Sequence, residues 1–224
     1  MAYSVAIDGP AGAGKSTIAK LISREMGYIY VDTGAMYRAM AVYFSKNKVN
    51  PEDESAINEA VKNVDIKIEY QNGEQQVILN GENVTGLLRT EETGNMASKT
   101  SKYKEVRSKL VELQRELAKT TDVVMDGRDI GTTVFPDAFV KIYLTASSDA
   151  RAKRRYDELV AKGEQCDLSA IKEDIEKRDY QDMHREISPL KQAEDAVLLD
   201  TSDMNIEQVV AAMRDIIDNA VKNK

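Results

Sequence analysis

The sequence is short of the residues that build metal centres and covalent frameworks. Its 224 residues include one cysteine and one histidine. Cys166 alone cannot close an intramolecular disulfide. With His184 as its only histidine, the chain is a poor candidate for a His/Cys zinc site or a Ser-His-Asp hydrolase. No run approaches the ~18 apolar residues of a membrane span. The opening MAYSVAIDGPAG lacks a basic region and a long apolar stretch, so it does not read as a signal peptide. Positive charge is in deficit, with 31 Lys and Arg against 38 Asp and Glu and a net charge of −7. That argues against a nucleic-acid partner, yet it leaves room for a small anion met by local positive charge. There is no internal repeat and no low-complexity linker. A soluble cytoplasmic monomer with no membrane partner is the expectation.

What is present is an ordinary globular balance, 42% hydrophobic and 31% charged. The length suits one large domain or one domain carrying an insertion, long enough to bury a core without staples. YSVAI at 3–7 reads as a buried strand. KSTIAKLISREMG follows with Ile18, Leu21 and Ile22 on one helical face and Gly27 as its stop. YIYVD at 28–32 reads as a second strand, and Gly34 to about Lys46 as a helix. The stretch 64–84 alternates with period two, and Asn72-Gly73 and Asn80-Gly81 stand where hairpin turns belong. Helical patterning returns at 93–120. Strands DVVMD (122–126) and FVKIYLTA (139–146), helices at 148–162 and 168–186, strand AVLLD (196–200) and an amphipathic helix from Ile206 complete the chain. Short apolar strands alternating with helices predict a parallel sheet covered by helices on both faces.

Gly9-Pro10-Ala11-Gly12-Ala13-Gly14-Lys15-Ser16 fits G-x-x-x-x-G-K-[ST] in full, between a predicted strand and a predicted helix. Glycines let backbone N–H groups turn inward around phosphate oxygens, and the helix start adds its positive dipole end. Lys15 suits the β- and γ-phosphates, and the Ser16 hydroxyl suits Mg²⁺. A nucleoside triphosphate site is therefore the strongest expectation. The only Asn-Lys pair, Asn47-Lys48, is too early and wrongly followed for the base-reading N-K-x-D of switch GTPases. That leaves small-molecule kinases as the main class.

Such an enzyme must bring two anions together, which calls for arginines at strand ends. Arg38 lies one helical turn past Gly34, read as a tight turn, and can hold a phosphate through two donors. Asp126-Gly127-Arg128-Asp129 follows a strand, where ligands of open α/β sheets bind. Asp126 suits Mg²⁺, directly or through water. Arg178, Asp182 and Arg185 are spaced to share a helical face. Arg151, Lys153, Arg154 and Arg155 form a basic cluster suited to a lid that excludes water. Each also has a plainer reading: an exposed helix arginine, a charged turn, a solvated ion-pair ladder, a basic face. His184 is read as a surface residue, Cys166 receives no role, and most methionines are read as core or ordinary surface.

The segments IDGPAGAGKST (7–17), DTGAMYR (32–38), NGENVTGLLRTEE (80–92), MDGRDIGTTVFPDAFVKIYLTAS (125–147) and RDYQDMHREISPL (178–190) run through nearly the whole chain in order. On these the chain resembles the bacterial cytidylate kinases. The resemblance implies a P-loop kinase fold of three α/β/α layers, with a five-stranded parallel sheet, a small antiparallel insertion at about 62–92 and a helical lid at about 148–166. The rest, 1–61 and 93–224, would form the core of a single domain. It implies Mg²⁺-dependent phosphoryl transfer from ATP to CMP or dCMP. Gly9 to Gly14 with Lys15, Ser16 and Thr17 would bind ATP. Lys15, Arg128 and Arg154 would be catalytic. Arg38 and Arg128 match acceptor-phosphate arginines, and Ser98, Arg107 and Asp129 match positions facing cytosine. Arg178 and Asp182 match ribose contacts, and Arg185 a base or phosphate contact. Thr33 stands where some members have Ser. Ser16 stands where some have Gly, which keeps Thr17 as a second candidate for metal contact. Another acceptor, such as UMP, AMP or shikimate, is the rival within the class. A slow nucleotide-dependent switch is the rival outside it.

Overall fold

The computed structural model describes residues 3–222; Met1, Ala2, Asn223 and Lys224, at the two ends of the single expected domain, lie outside the described residues. The chain divides into two compact units, residues 1–30 with 120–224, and residues 31–119.

In the first unit, β1 (Ser4–Asp8) pairs in parallel with β6 (Val123–Gly127) on one side and β7 (Val140–Thr145) on the other; β7 pairs in parallel with β8 (Val197–Asp200). With β2 (Ile29–Asp32), whose first two residues fall in this unit, the sheet order is β2-β6-β1-β7-β8. The central strands are mostly apolar, as a sheet buried on both faces requires, with Asp8 and Asp126 near their carboxyl ends and Lys141 within β7 as buried charges. Val5, Ile7, Val124, Ile142 and Leu144 are essentially inaccessible. Against them pack Ile18, Ala19 and Ile22 of α1 (Lys15–Met26) and Val209, Val210, Met213 and Ile217 of α8 (Ile206–Lys222). Each such large apolar side chain contributes about 1.5–3 kcal/mol through burial. α1 ends as expected at Gly27, left-handed at φ 70°. The charged helices are α6 (Ser148–Ala161) and α7 (Leu168–His184). α7 stops short of the predicted 186: Arg185 is its extended cap, with ψ 144°, so it is not on the helical face of Arg178 and Asp182.

The second unit carries α2 (Thr33–Lys46), α3 (Glu54–Lys62), a three-stranded antiparallel sheet, α4 (Glu91–Thr100) and α5 (Lys104–Leu117). Its sheet is β3 (Ile66–Gln71), β4 (Glu74–Leu79) and β5 (Glu82–Asn83). Both predicted hairpin turns are there. Asn72 and Gly73 sit at φ 53° and 78°, and Asn80 and Gly81 at 48° and 84°, the left-handed pairs that match strand twist. α3 has no counterpart in the expectation. Asp53 caps it through the Ala56 N–H at 3.0 Å, and Ile57 and Val61 bury its one apolar edge. The helical stretch at 93–120 is two helices, broken at residues 101–103. Gly34 makes no turn; it lies in the first turn of α2, without positive φ. Met36 and Met40, with Met125 and Met213 of the first unit, are wholly buried core residues. Among the described residues no helix is long and apolar enough to cross a membrane.

Candidate functional site

The loop after β1 is shaped by its glycines. Gly9, Gly12 and Gly14 have φ of 152°, 74° and 88°. A Cβ on Gly9 would lie 1.9 Å from the Leu144 carbonyl oxygen, so the loop passes β7 at a distance only glycine allows. Gly14 caps α1, and the helix N-terminus opens on the loop. Lys15 is 5% exposed and donates to the Pro10 carbonyl at 2.7 Å, across its own loop. Burial and then the Arg128 charge push its pKa down to about 7, against the pull of Asp126, Asp182 and Asp8. An arriving phosphate would reverse that balance.

Asp126 ends the apolar run of β6, level with Ile7 of β1. One carboxylate oxygen accepts from the Ser16 hydroxyl at 2.8 Å, the other from the Tyr30 hydroxyl at 2.9 Å. Ser16 and Asp126 thus present a hydroxyl and a carboxylate oxygen to one point beside the loop. Hard oxygen donors that leave most positions to water and phosphate fit Mg²⁺. Thr17 is exposed. Among the described residues no cluster of three or more His, Cys, Asp or Glu could hold a metal by itself.

Arg128 donates through Nε to Asp182 at 2.8 Å, and Arg185 ion-pairs with Asp182 and Asp129, each at 3.6 Å. Burial opposes both charges of the Arg128–Asp182 pair. Their attraction outweighs it, raising the Arg128 pKa and, with Arg185 and Lys15, lowering that of Asp182. Arg178 is partly buried one turn before Asp182 on α7. Arg151 is not a free lid cation. It is 5% exposed, donates to the carbonyls of Ala146 and Ala11 at 2.8 and 2.9 Å, and pairs with buried Asp179 at 2.7 Å. It braces the glycine loop, and removing either partner would leave an uncompensated buried charge at about 3–5 kcal/mol. Arg154 is turned to the Thr201 carbonyl and, at 3.3 Å, to its hydroxyl. Lys153 pairs with Asp157 and Arg155 with Glu158, all exposed.

In the second unit, Asp32 caps α2 through the Ala35 N–H at 2.9 Å, and Thr33 follows buried in the first turn. Arg38 is partly buried one turn on. Arg107 is 3% exposed on α5, donates to the Ser101 carbonyl at 3.1 Å and stacks over the Tyr37 ring at 5.5 Å. Ser98 is partly buried on α4, and its carbonyl accepts from the Ser101 hydroxyl at 3.0 Å.

Several groups here escaped the sequence reading. Asp8 accepts from the Ile130 and Gly131 amides, each at 2.7 Å, and so clamps the turn at Ile130–Val134 that follows Arg128 and Asp129. Burial is the largest influence on it. With the Asp129 charge, burial outweighs the two amide bonds and Lys15 and lifts its pKa to about 6. The available signal was a carboxylate closing an apolar strand directly before the loop. Tyr30, Asp179, Gln75 and Arg89 carried no signal, because their partners are far away in sequence.

A family model described as cytidylate kinase matches residues 5–219. The chain is 53% identical over 219 residues to the cytidylate kinase of Lactobacillus gasseri, covering 98% of this chain and 95% of that one. It is 48% identical over 221 residues to the cytidylate kinase of Caldicellulosiruptor bescii, covering 99% and 98%. A solved structure of an uncharacterized protein from Eubacterium ventriosum has a TM-score of 0.54 at 11% identity, over 96% of this chain and 98% of that chain, a likeness of fold. With a phosphate loop after the central strand of a parallel sheet and a family match along nearly its whole length, the chain belongs to the cytidylate kinase family and is a kinase of the α/β P-loop fold.

Proposed function

We propose that this chain transfers the γ-phosphoryl group of ATP to CMP or dCMP, giving ADP and CDP or dCDP, with Mg²⁺. An oxygen of the acceptor phosphate attacks the γ-phosphorus, and the bond from that phosphorus to the β–γ bridging oxygen breaks. The observation that carries the reading is the geometry of the loop in the first unit: Gly9, Gly12 and Gly14 at positive φ bring the start of α1 and buried Lys15 to the loop, with Ser16 on Asp126 at 2.8 Å beside them. Lys15 is nearly inaccessible, and Arg128 is partly exposed and held by Asp182 at 2.8 Å, a carboxylate whose place an arriving phosphate can take.

In this reading the backbone N–H groups of the loop from Ala11 to Gly14, with Lys15, hold the β- and γ-phosphates, and Pro10, which has no N–H, anchors Lys15 through its carbonyl. Ser16, with Asp126 directly or through water, would hold Mg²⁺, which supplies charge neutralisation across the phosphates when bound. Tyr30 keeps Asp126 oriented through its second oxygen. Arg128 exchanges its bond to Asp182 for the acceptor phosphate, and the freed Asp182 accepts from a sugar hydroxyl. Arg178 and Arg185 take the remaining sugar, base or phosphate contacts. In the second unit Arg38 is read as a phosphate ligand, Thr33 as a CMP contact through its hydroxyl, and Ser98 and Arg107 as base contacts. Asp129 accepts from the cytosine amine; UMP would set a carbonyl there and leave a buried carboxylate unpaired. Arg154 leaves Thr201 to reach the transferring group, and the lid that moves begins beyond the anchored Arg151. Positioning and charge stabilisation carry the rate, and no general base is required.

The test is an ADP-release assay with ATP and Mg²⁺, comparing CMP, dCMP, UMP, AMP and no acceptor. Fast release with CMP and dCMP, slow with UMP and almost none alone is the expected pattern. Equal release under every condition would make the chain an ATPase and withdraw the acceptor assignments.

A further inference from the structure

The antiparallel insertion of the second unit reaches one residue with unusual completeness. Gln75, at the start of β4, lays its side-chain amide along the backbone of Asp32. Its Oε1 accepts from the Asp32 N–H at 2.9 Å, and its Nε2 donates to the Asp32 carbonyl at 3.3 Å, 43 residues away in the chain. The Asp32 carboxylate is engaged too: one oxygen takes the Ala35 N–H and the other Arg89 Nη2 at 2.7 Å. The N–H, carbonyl and carboxylate of Asp32 are therefore all held, two of the three by a single glutamine.

Asp32 is where the first turn of α2 begins. Thr33 follows directly, and Arg38 folds back on the same turn. The Cβ that Gly34 lacks would lie 3.1 Å from Arg38 Nη1 and 3.2 Å from Asp32 Oδ1. A primary amide suits this task better than a charged group. It pairs with an N–H and a carbonyl at once, as a neighbouring strand would, and adds no charge beside a place meant for an anion. A carboxylate there could not donate and would set a second negative charge next to Asp32.

We infer that Gln75, aided by Arg89, is a positioning residue for the acceptor phosphate: through Asp32 the insertion sets the first turn of α2, and so the aim of Arg38. This rests on the reading of Arg38 as a phosphate ligand. Gln76 provides the control. It lies next to Gln75 on β4 but spends its side chain inside the insertion, accepting from Asn83 Nδ2 at 3.2 Å. General weakening of the hairpin would follow from either position; loss of aim would follow from Gln75 alone.

The experiment measures KM for CMP and for ATP, with thermal melts, for the full chain and for Arg38→Ala, Gln75→Met and Gln76→Met. Arg38→Ala should raise the CMP KM by roughly 100-fold, as loss of charge-assisted hydrogen bonds implies. Gln75→Met keeps length and packing but loses two neutral bonds; it should raise the CMP KM roughly tenfold and leave the ATP KM within about twofold. Gln76→Met should leave both KM values within about twofold. If Gln75→Met melts too low to assay, Gln75→Glu, which keeps only the acceptor, must show the CMP-selective rise. An unchanged CMP KM for Gln75 variants alongside the Arg38→Ala effect overturns the inference alone. Equal effects from Gln75→Met and Gln76→Met, or an equal rise for ATP, also overturn it. An unchanged CMP KM in Arg38→Ala removes the acceptor reading, and the inference with it.

Discussion

Lys15 and Arg38 each stand in the first turns of a helix that follows a strand, yet the two are held by different means. Around Lys15, in the first unit, the fixtures are mostly local backbone: glycines at positive φ, the Pro10 carbonyl five residues back, and the helix cap at Gly14. Around Arg38, in the second, they are side chains from far along the chain, Gln75 and Arg89 meeting on Asp32. The first arrangement is dry and its ionisation is perturbed. The second has an exposed arginine, Arg89, at its rim. Under the proposed reading, the phosphate cradle takes its shape mainly from its own backbone, and of the distant residues it is Arg151, on the Ala11 carbonyl, whose loss should reach it. An anion site built from remote side chains is adjustable, and single distant changes should reach it.

The largest expected effect attacks the first arrangement directly. Lys15→Met keeps the apolar stem and removes the ammonium, which under the proposed reaction stabilises charge on the transferring group. Turnover should fall roughly a thousandfold, as for other preorganised charge donors in buried sites. The melting temperature should hold or rise, because burying the ammonium costs free energy that methionine does not incur. Turnover within tenfold of the parent would mean that the loop amides alone suffice, and the contrast between the two cations would lose its catalytic meaning.

Asp8 sharpens the same contrast through pH. Its carboxyl ionises near the ordinary 3.8 in the unfolded chain and at about 6 in the folded one. Between those values the folded protein keeps a proton that the unfolded chain has released. The stabilisation is therefore complete below about pH 4 and is lost as pH rises through 6, about 3 kcal/mol in all. Asp8→Asn cannot ionise. Denaturant midpoints measured from pH 4 to 7 should show the parent losing stability relative to the variant by that order. Parallel curves would mean that the two amide bonds cancel the burial and that the clamp carries no stored ionisation cost.

These differences explain what was legible in the sequence. The sheet, the phosphate loop, the two hairpins and the start of α7 follow from neighbours within a few residues: period, Gly φ, a capping side chain. The loop motif names Lys15 and Ser16 for the same reason. Arg151 was misread as a lid group because nothing local marks it; its role comes from Ala11 and Asp179, on other elements. The spacing predicts Arg185 on a helical face, but α7 ends at His184; Arg185 gives its Nε to the Ser188 carbonyl at 2.7 Å and meets Asp182 and Asp129 from beyond the helix. α3 is short and carries only two large apolar side chains, Ile57 and Val61, beside the small Ala56 and Ala60, a weak periodic signal. Asp8 lies between the two cases, a local anomaly whose partners are more than a hundred residues away.

The smallest expected effect separates distance in sequence from strength of coupling. Lys46 at the end of α2 ion-pairs with Glu82 of β5 at 2.6 Å, so it joins the same helix to the same insertion as Gln75 does. Its side chains are 45% and 62% exposed, however. Water solvates both charges whether or not they meet, and ordering two long side chains offsets most of the attraction, so such pairs contribute about 0.2–1 kcal/mol. A double-mutant cycle with Lys46→Ala and Glu82→Ala should give a coupling at the low end of that range, shrinking further in salt, with the CMP KM unchanged. The Gln75 amide is uncharged and longer in its contacts, yet it is half-buried and meets backbone groups that set a helix start. If the exposed ion pair shifted the CMP KM as much as Gln75→Met does, any tie between insertion and α2 would serve, and the aim of Arg38 would depend on how firmly the insertion is attached rather than on which groups of Asp32 it holds.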